Sequence, residues 1–161
     1  MNLPSTIDTQ ESFVAALRWG FETAAAEGAR CITCVDPSFE HWPLDDPGLL
    51  DGLTAWARLP QRRLVLLAAH YDEVPRRQPR FTAWRRDWAH TVTALQAPAE
   101  LAADLPTLLL DDRKLSVHLV DALAWRGRAA VDVRTRLRWQ ERVDAVLQRS
   151  EAAFVVTTLG L

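Results

Sequence analysis

The chain has 161 residues, 48% of them apolar and 25% charged, with six glycines and nine prolines. It is too apolar for a disordered chain, its two cysteines are too few for a disulfide scaffold, and no apolar run approaches the ~20 residues of a membrane span. A net charge of −2 and a pI near 6.1 argue against a nucleic-acid partner, and the first residues lack the basic start and apolar stretch of a secretory signal, so a cytoplasmic domain is expected.

Asp8 and Glu11 have the spacing of a capping box, and Phe13, Leu17, Phe21 and Ala24 follow at near-helical spacing. They predict a first helix over 9–28 that Gly28 closes, with Trp19 about 200° around from Leu17 and off the apolar stripe. Residues 30–36 (RCITCVD) read as a buried strand, and Asp46-Pro47 opens a second helix through Leu50, Leu53 and Ala57. Residues 62–70 (RRLVLLAAH) are the second strand. Gln78-Pro79 opens a third helix with Phe81, Trp84, Trp88 and Val92 on one face. Two strand-like runs, 105–112 and 114–121, are joined through a turn at Asp111-Asp112-Arg113, and 124–131 would be a third antiparallel strand. A long helix over 132–150 and a closing strand over 153–160 complete the chain. This order predicts one α/β domain over 1–161: a mixed sheet with a parallel core, antiparallel hairpin strands and helices on both faces.

Eighteen of the 19 basic residues are Arg, only Lys114 is Lys, and there are 24 Ala and 23 Leu; this skew fits the codon bias of a GC-rich bacterial genome. Charge is also segregated. Residues 36–51 hold Asp36, Glu40, Asp45, Asp46 and Asp51 with no Lys or Arg, whereas 58–86 hold eight Arg against Asp72 and Glu73. A self-complementary contact could use such opposed fields.

Four constellations could carry chemistry. Cys31 and Cys34 have redox or metal spacing, but inside a strand residues three apart point to opposite faces, so they read as structural thiols and no metal site is expected. The loops after the first two strands carry Asp36, His41, His70 and Asp72; carboxyl ends of parallel strands bind ligands in open α/β sheets, so these four form a candidate pocket. Alternatively Asp36 caps a turn and His41 packs beside Trp42. Asp112-Arg113-Lys114 contains the tail of a common nuclease pattern, but in a turn and not in the strand which that chemistry uses. On the last helix Arg134, Arg138 and Arg142 fall on one side, a candidate anion-binding row, or a solvated face diluted by Glu141 and Asp144.

The element order resembles one half of the phospholipase D-like fold over nearly the whole chain, with 105–154 similar to that family's late region. The family's enzymes use H-x-K-x₄-D. The residues two past His41, His70, His90 and His118 are Pro43, Asp72, Val92 and Val120, so no catalytic residue carries over and phosphodiesterase activity is not implied. The words WPL (42–44), PRF-x-x-W (79–84) and WRG (125–127) also resemble a bacterial domain appended to acetyltransferases, a likeness that implies no activity.

Together these readings lead to a non-catalytic cytoplasmic binding or assembly module without a cofactor. Its expected partners are a second copy, since phospholipase D-like enzymes pair two halves, and an acidic protein or phosphate-bearing ligand. A small metal- or acid/base-dependent hydrolase using the loops at 36–41 and 70–73 is the alternative.

Overall fold

Thr9 caps the first helix, α1 (Gln10–Ala26): its hydroxyl accepts from the Ser12 amide, and the Ser12 hydroxyl accepts from the Thr9 amide. The capping box is therefore Thr9–Ser12, one residue on from the predicted Asp8–Glu11, because a hydroxyl serves as well as a carboxylate at the third helical position. Gly28 ends the turn at φ 76°, where a side chain would be strained. The computed structural model describes residues 2–4 and 6–155.

Strand β1 (Cys31–Val35) leads through α2 (Pro47–Ala57) to β2 (Arg63–Ala68), then through the short α3 (Val74–Arg77) and α4 (Pro79–Asp87) to β3 (Val92–Gln96). Asp46 caps α2 as its sequence indicates, accepting from the Leu49 amide at 2.8 Å. Past α5 (Ala99–Ala102), β4 (Thr107–Leu110), β5 (Leu115–Asp121) and β6 (Arg126–Val131) form two hairpins, followed by α6 (Val133–Leu147) and β7 (Glu151–Ala152). The seven strands lie in the order β6-β5-β4-β1-β2-β3-β7. β1, β2 and β3 pair in parallel, and every other pairing is antiparallel. The mixed α/β sheet expected from the sequence is present.

Two elements differ from expectation. Val92 does not extend the helix of Phe81, Trp84 and Trp88: the helix stops at Asp87, and Val92 starts β3, parallel to β2. The Trp88–Val92 spacing satisfied a helical period by coincidence. The closing strand over 153–160 is replaced by β7 at Glu151–Ala152, and its last residues lie outside the described residues.

The sheet has two unlike faces. On one, α1, α2 and α4 cover Ile32, Cys34, Leu64, Leu66, Leu109 and Val117 in a large core that also contains Phe13, Phe39, Trp42, Trp56, Phe81 and Trp84. Two buried indole tips find partners here: Trp56 Nε1 donates to the Ala29 carbonyl at 2.6 Å and Trp84 Nε1 to Thr54 Oγ1 at 2.9 Å. Buried Gln78 donates to the carbonyls of Phe39 and Trp42, fixing the loop after β1. Tyr71, Phe154, Phe81, Trp84 and Trp88 form a run of near-parallel rings with successive centroids 5.3–6.4 Å apart. Trp19, off the predicted stripe, also joins this core at 8% exposure. On the opposite face α6 lies over a smaller cluster of Val35, Leu67, Leu108, Leu110 and Val143, edged by Trp139.

Candidate functional site

The loop after β1 is built around Asp36. Its Oδ2 accepts from the amides of Ser38 and Phe39 at 3.0 and 2.7 Å, and its Oδ1 accepts from the Thr107 hydroxyl at 2.6 Å. Asp36 thus ties the loop to itself and to β4. It shares a cavity of about 230 Å³ with His41, Ser38, Glu40, Thr107 and Trp125. His41 is exposed; Gln10 Nε2 lies 3.3 Å from its Nδ1, Glu40 3.3 Å from its Nε2, and Trp125 meets the ring edge-on. His70 and Asp72, 3.7 Å apart and exposed, do not line this cavity. The structure brings together Asp36 and His41, and leaves His70 and Asp72 outside. Among the described residues no group of three His, Cys, Asp or Glu is placed to hold a metal ion.

The segregated charges of 36–51 and 58–86 meet within the chain. Arg80 and Phe81 amides donate to Asp45, the Arg80 guanidinium lies 3.9 Å from Asp45, Arg77 lies 3.9 Å from Glu40, and Arg76 and Arg77 both bond Glu73. Arg18 pairs with Asp46 at 2.8 Å. Part of the field that suggested a reciprocal two-fold contact is met within the chain, while Arg58, Arg63 and Arg86 are exposed and make no ion pair among the described residues.

Around α6 the balance reverses. Residues 126–142 carry six Arg against Asp132 and Glu141. Arg136 is buried and structural: it donates to the Asp111 carbonyl at 2.9 Å and to Gln140, pinning α6 to the turn after β4. Asp132 caps α6; hydrogen bonds from the Thr135 hydroxyl and amide, then the charges of Arg138 and Arg134, hold its carboxyl below the usual range. Arg126, Arg128, Arg134, Arg138 and Arg142 make no ion pair among the described residues and are exposed. Arg138 and Arg142 line a cavity of about 330 Å³ with Thr135 and Trp139, and the Arg142 guanidinium sits 4.9 Å from the Trp139 ring. Of the candidate anion row, Arg134 does not line this cavity.

On the other side of Trp139 is a second cleft of about 290 Å³, lined by Ser116, His118, Arg128, Ala130, Thr135 and Thr6 among others. His118 packs its ring 4.1 Å from Trp139. Burial first, and the Arg142 charge second, push its imidazole down to about 4, so it is neutral at pH 7. The sequence analysis did not single out Ser116, His118, Arg128 or Trp139. The signal was present in the alternation of β5, where Leu115, Val117 and Leu119 face the large core and Ser116 and His118 the other way.

Cys31 and Cys34 are free thiols on opposite sides of β1. Burial pushes both upward, Cys34 the further, as expected of structural cysteines. Asp112 accepts from the Arg30 amide in the hairpin turn, where it closes a loop.

The geometry defines a mixed α/β sheet domain with an arginine-rich face. No protein family's sequence profile matches the chain, and no curated protein matches it. Among solved structures, the fold is similar to that of TrmBL2, described as an archaeal chromatin protein showing a novel mode of DNA binding, with a TM-score of 0.63 at 12% identity over 94% of this chain. This chain spans 54% of that protein's length.

The likeness overturns two expectations. The resemblance to half of a phospholipase D-like domain rested on element order without a motif, and a parallel core extended by hairpins is shared by unrelated proteins. The three short words fare no better, and they have packing roles: Trp42, Phe81 and Trp84 are core residues and Trp125-Arg126-Gly127 enters β6. With that resemblance goes the argument for paired halves and a second copy. The partner set drawn from it and from net charge, including the exclusion of nucleic acid, is also corrected: this fold occurs in a DNA-binding chromatin protein, and a whole-chain charge of −2 hides a local excess of arginine.

Proposed function

We propose that this chain is a non-catalytic, cytoplasmic binding domain that engages nucleic acid through backbone phosphates on its α6–β6 face. The observation that carries it is the contrast among the arginines. Arg76, Arg77 and Arg80 face Glu73, Glu40 and Asp45, whereas Arg126, Arg128, Arg134, Arg138 and Arg142 make no ion pair among the described residues and, unlike the exposed, unpaired Arg58, Arg63 and Arg86, are gathered on one helix and one edge strand. Guanidinium groups suit phosphate, which they can grip with two parallel hydrogen bonds. A fold shared with a DNA-binding chromatin protein supports the same reading. Cytoplasmic placement suits both nucleic acid and two free thiols.

Fluorescence anisotropy of a labelled short DNA duplex, repeated between about 50 and 200 mM salt, tests this. Binding should weaken with salt, with a logarithmic slope near −0.9 per phosphate contacted, and replacing Arg134, Arg138 and Arg142 with Ala should flatten that slope by about 2–3. Replacing Arg76, Arg77 and Arg80 should leave it unchanged. Absence of salt-dependent binding at low salt, or equal loss in the two triple variants, overturns the proposal.

A further inference from the structure

We propose that the cleft between α6 and strands β5 and β6 is a nucleobase site, which takes one unstacked base of a bound strand against Trp139 while Arg138 and Arg142 hold the adjoining phosphate. The inference rests on the nucleic-acid reading above and narrows it to single-stranded or locally opened substrate.

Trp139 and Thr135 line both cavities, so a polar, aromatic cleft and an arginine-lined one adjoin at the indole, against which His118 packs at 4.1 Å and Arg142 at 4.9 Å and beside which an entering base would stack. A nucleotide has the same two-part chemistry, a flat heterocycle joined to an anion. The cleft, at about 290 Å³, falls just below the roughly 300–1,000 Å³ range of small-molecule pockets, which suits a single ring system.

Thr135 spends its hydroxyl on Asp132, but two other polar groups of the cleft are unspent. Ser116 is only 2% exposed, yet its hydroxyl makes no hydrogen bond among the described residues and it lines the cleft. The His118 ring nitrogens likewise have no hydrogen-bond partner among the described residues. A neutral imidazole offers one donor and one acceptor, and a hydroxyl offers both, which is the mixture that base edges display. A purely apolar ligand would leave Ser116 and His118 unsatisfied at a cost, and an anion alone would make no use of the indole.

β6 supplies the room. Opposite His118 and Ser116 in the ladder stand Arg128 and Ala130, and a Cβ on Gly127 would come within 2.6 Å of the His118 carbonyl oxygen, so the strand can approach only as glycine there. Arg128 at the rim can reach either a base acceptor or a phosphate.

The test is a titration of the full chain with two labelled DNA strands of equal length and charge, oligothymidylate and a strand of abasic tetrahydrofuran units. Stacking of a base on an aromatic side chain predicts that oligothymidylate binds about tenfold more tightly. Trp139→Leu should abolish this preference and Ser116→Ala reduce it, with salt dependence retained in both; circular dichroism verifies that each variant is folded, and Ser116→Ala stands alone if Trp139→Leu is not. Equal affinity for both strands overturns the base site and leaves the phosphate reading standing. A preference that survives in Ser116→Ala and in folded Trp139→Leu also overturns it. Failure of both strands to bind at low salt overturns both readings.

Discussion

The two faces of the sheet divide the work differently. Under α1, α2 and α4, large rings interlock, the indole N–H groups of Trp56 and Trp84 are bonded, those of Trp19 and Trp42 have no hydrogen-bond partner among the described residues, and Gln78 clamps the loop that crosses them. Under α6 the buried cluster is small, only Arg136 and Val143 of the helix are buried, and Val133 and Leu137 are 52% and 45% exposed. The first face accounts for most of the area removed from water, and hence most of the hydrophobic stabilisation. The second keeps polar groups and charges uncommitted. The larger core and the unpaired arginines around α6 are thereby placed on opposite sides of one sheet.

The largest test of this contrast is a matched pair of substitutions. Trp84→Ala should cost about 3–5 kcal/mol, because it empties a buried site stacked between Phe81 and Trp88 and strips Thr54 of its donor. Trp139→Ala, on the half-buried edge of the other face, should cost nearer 1 kcal/mol. Urea unfolding of both measures the difference, and equal losses would erase the distinction between the faces.

A smaller effect is expected at Gly20, where α1 sits closest to the sheet. An added Cβ would lie 2.4 Å from Leu109 Cδ2 and 3.3 Å from Val117 Cγ2, and Leu109 is fully buried with nowhere to retreat. Gly20→Ala should therefore destabilise by about 1–3 kcal/mol in the same assay, despite alanine's higher helix propensity. A neutral or stabilising result would show that the large core is looser than its packing indicates.

The smallest effect sharpens the other side of the comparison. His118 is held at about 4 in the folded chain against an ordinary value of 6.5, so between these pH values the unfolded chain binds the extra proton. Its contribution is complete above pH 6.5 and is lost as pH falls through 4. Stability should decline over that window, modestly because the ring is only half-buried, and the decline should shrink in His118→Gln. Unfolding curves at pH 7 and pH 5 for the two chains decide it.

Local chemistry made much of the fold legible. Asp46-Pro47 marked the start of α2, the apolar runs at β1 and β2 were both correctly placed, and short connections marked the hairpins of β4, β5 and β6. β3 escaped because five residues, Val92–Gln96, continue a helical spacing from Trp88, and only pairing with β2 decides between the two periods. Trp19 is buried although it lies off the apolar stripe, because α2 and the sheet together enclose more of α1 than one stripe. For the site, Asp36 and His41 were identified and do share a cavity, but convergence with His70 and Asp72 depended on loop paths that no local pattern sets. The arginine row was visible on a helical wheel. Its partner residues on β5 and β6 were not, because they come together only through strand register.

The stacked rings have an optical consequence. Trp84 and Trp88 lie 6.2 Å apart at 29°, close enough for their near-ultraviolet transitions to couple, so the packed side of the sheet should produce its own circular-dichroism band. Trp139 belongs to no such stack; its neighbours are an imidazole and a guanidinium, and its emission should respond to what enters or leaves the clefts beside it. Among the chain's seven tryptophans, the Trp84–Trp88 pair and Trp139 thus report on opposite sides of the sheet, the side that holds it together and the side that opens to solvent.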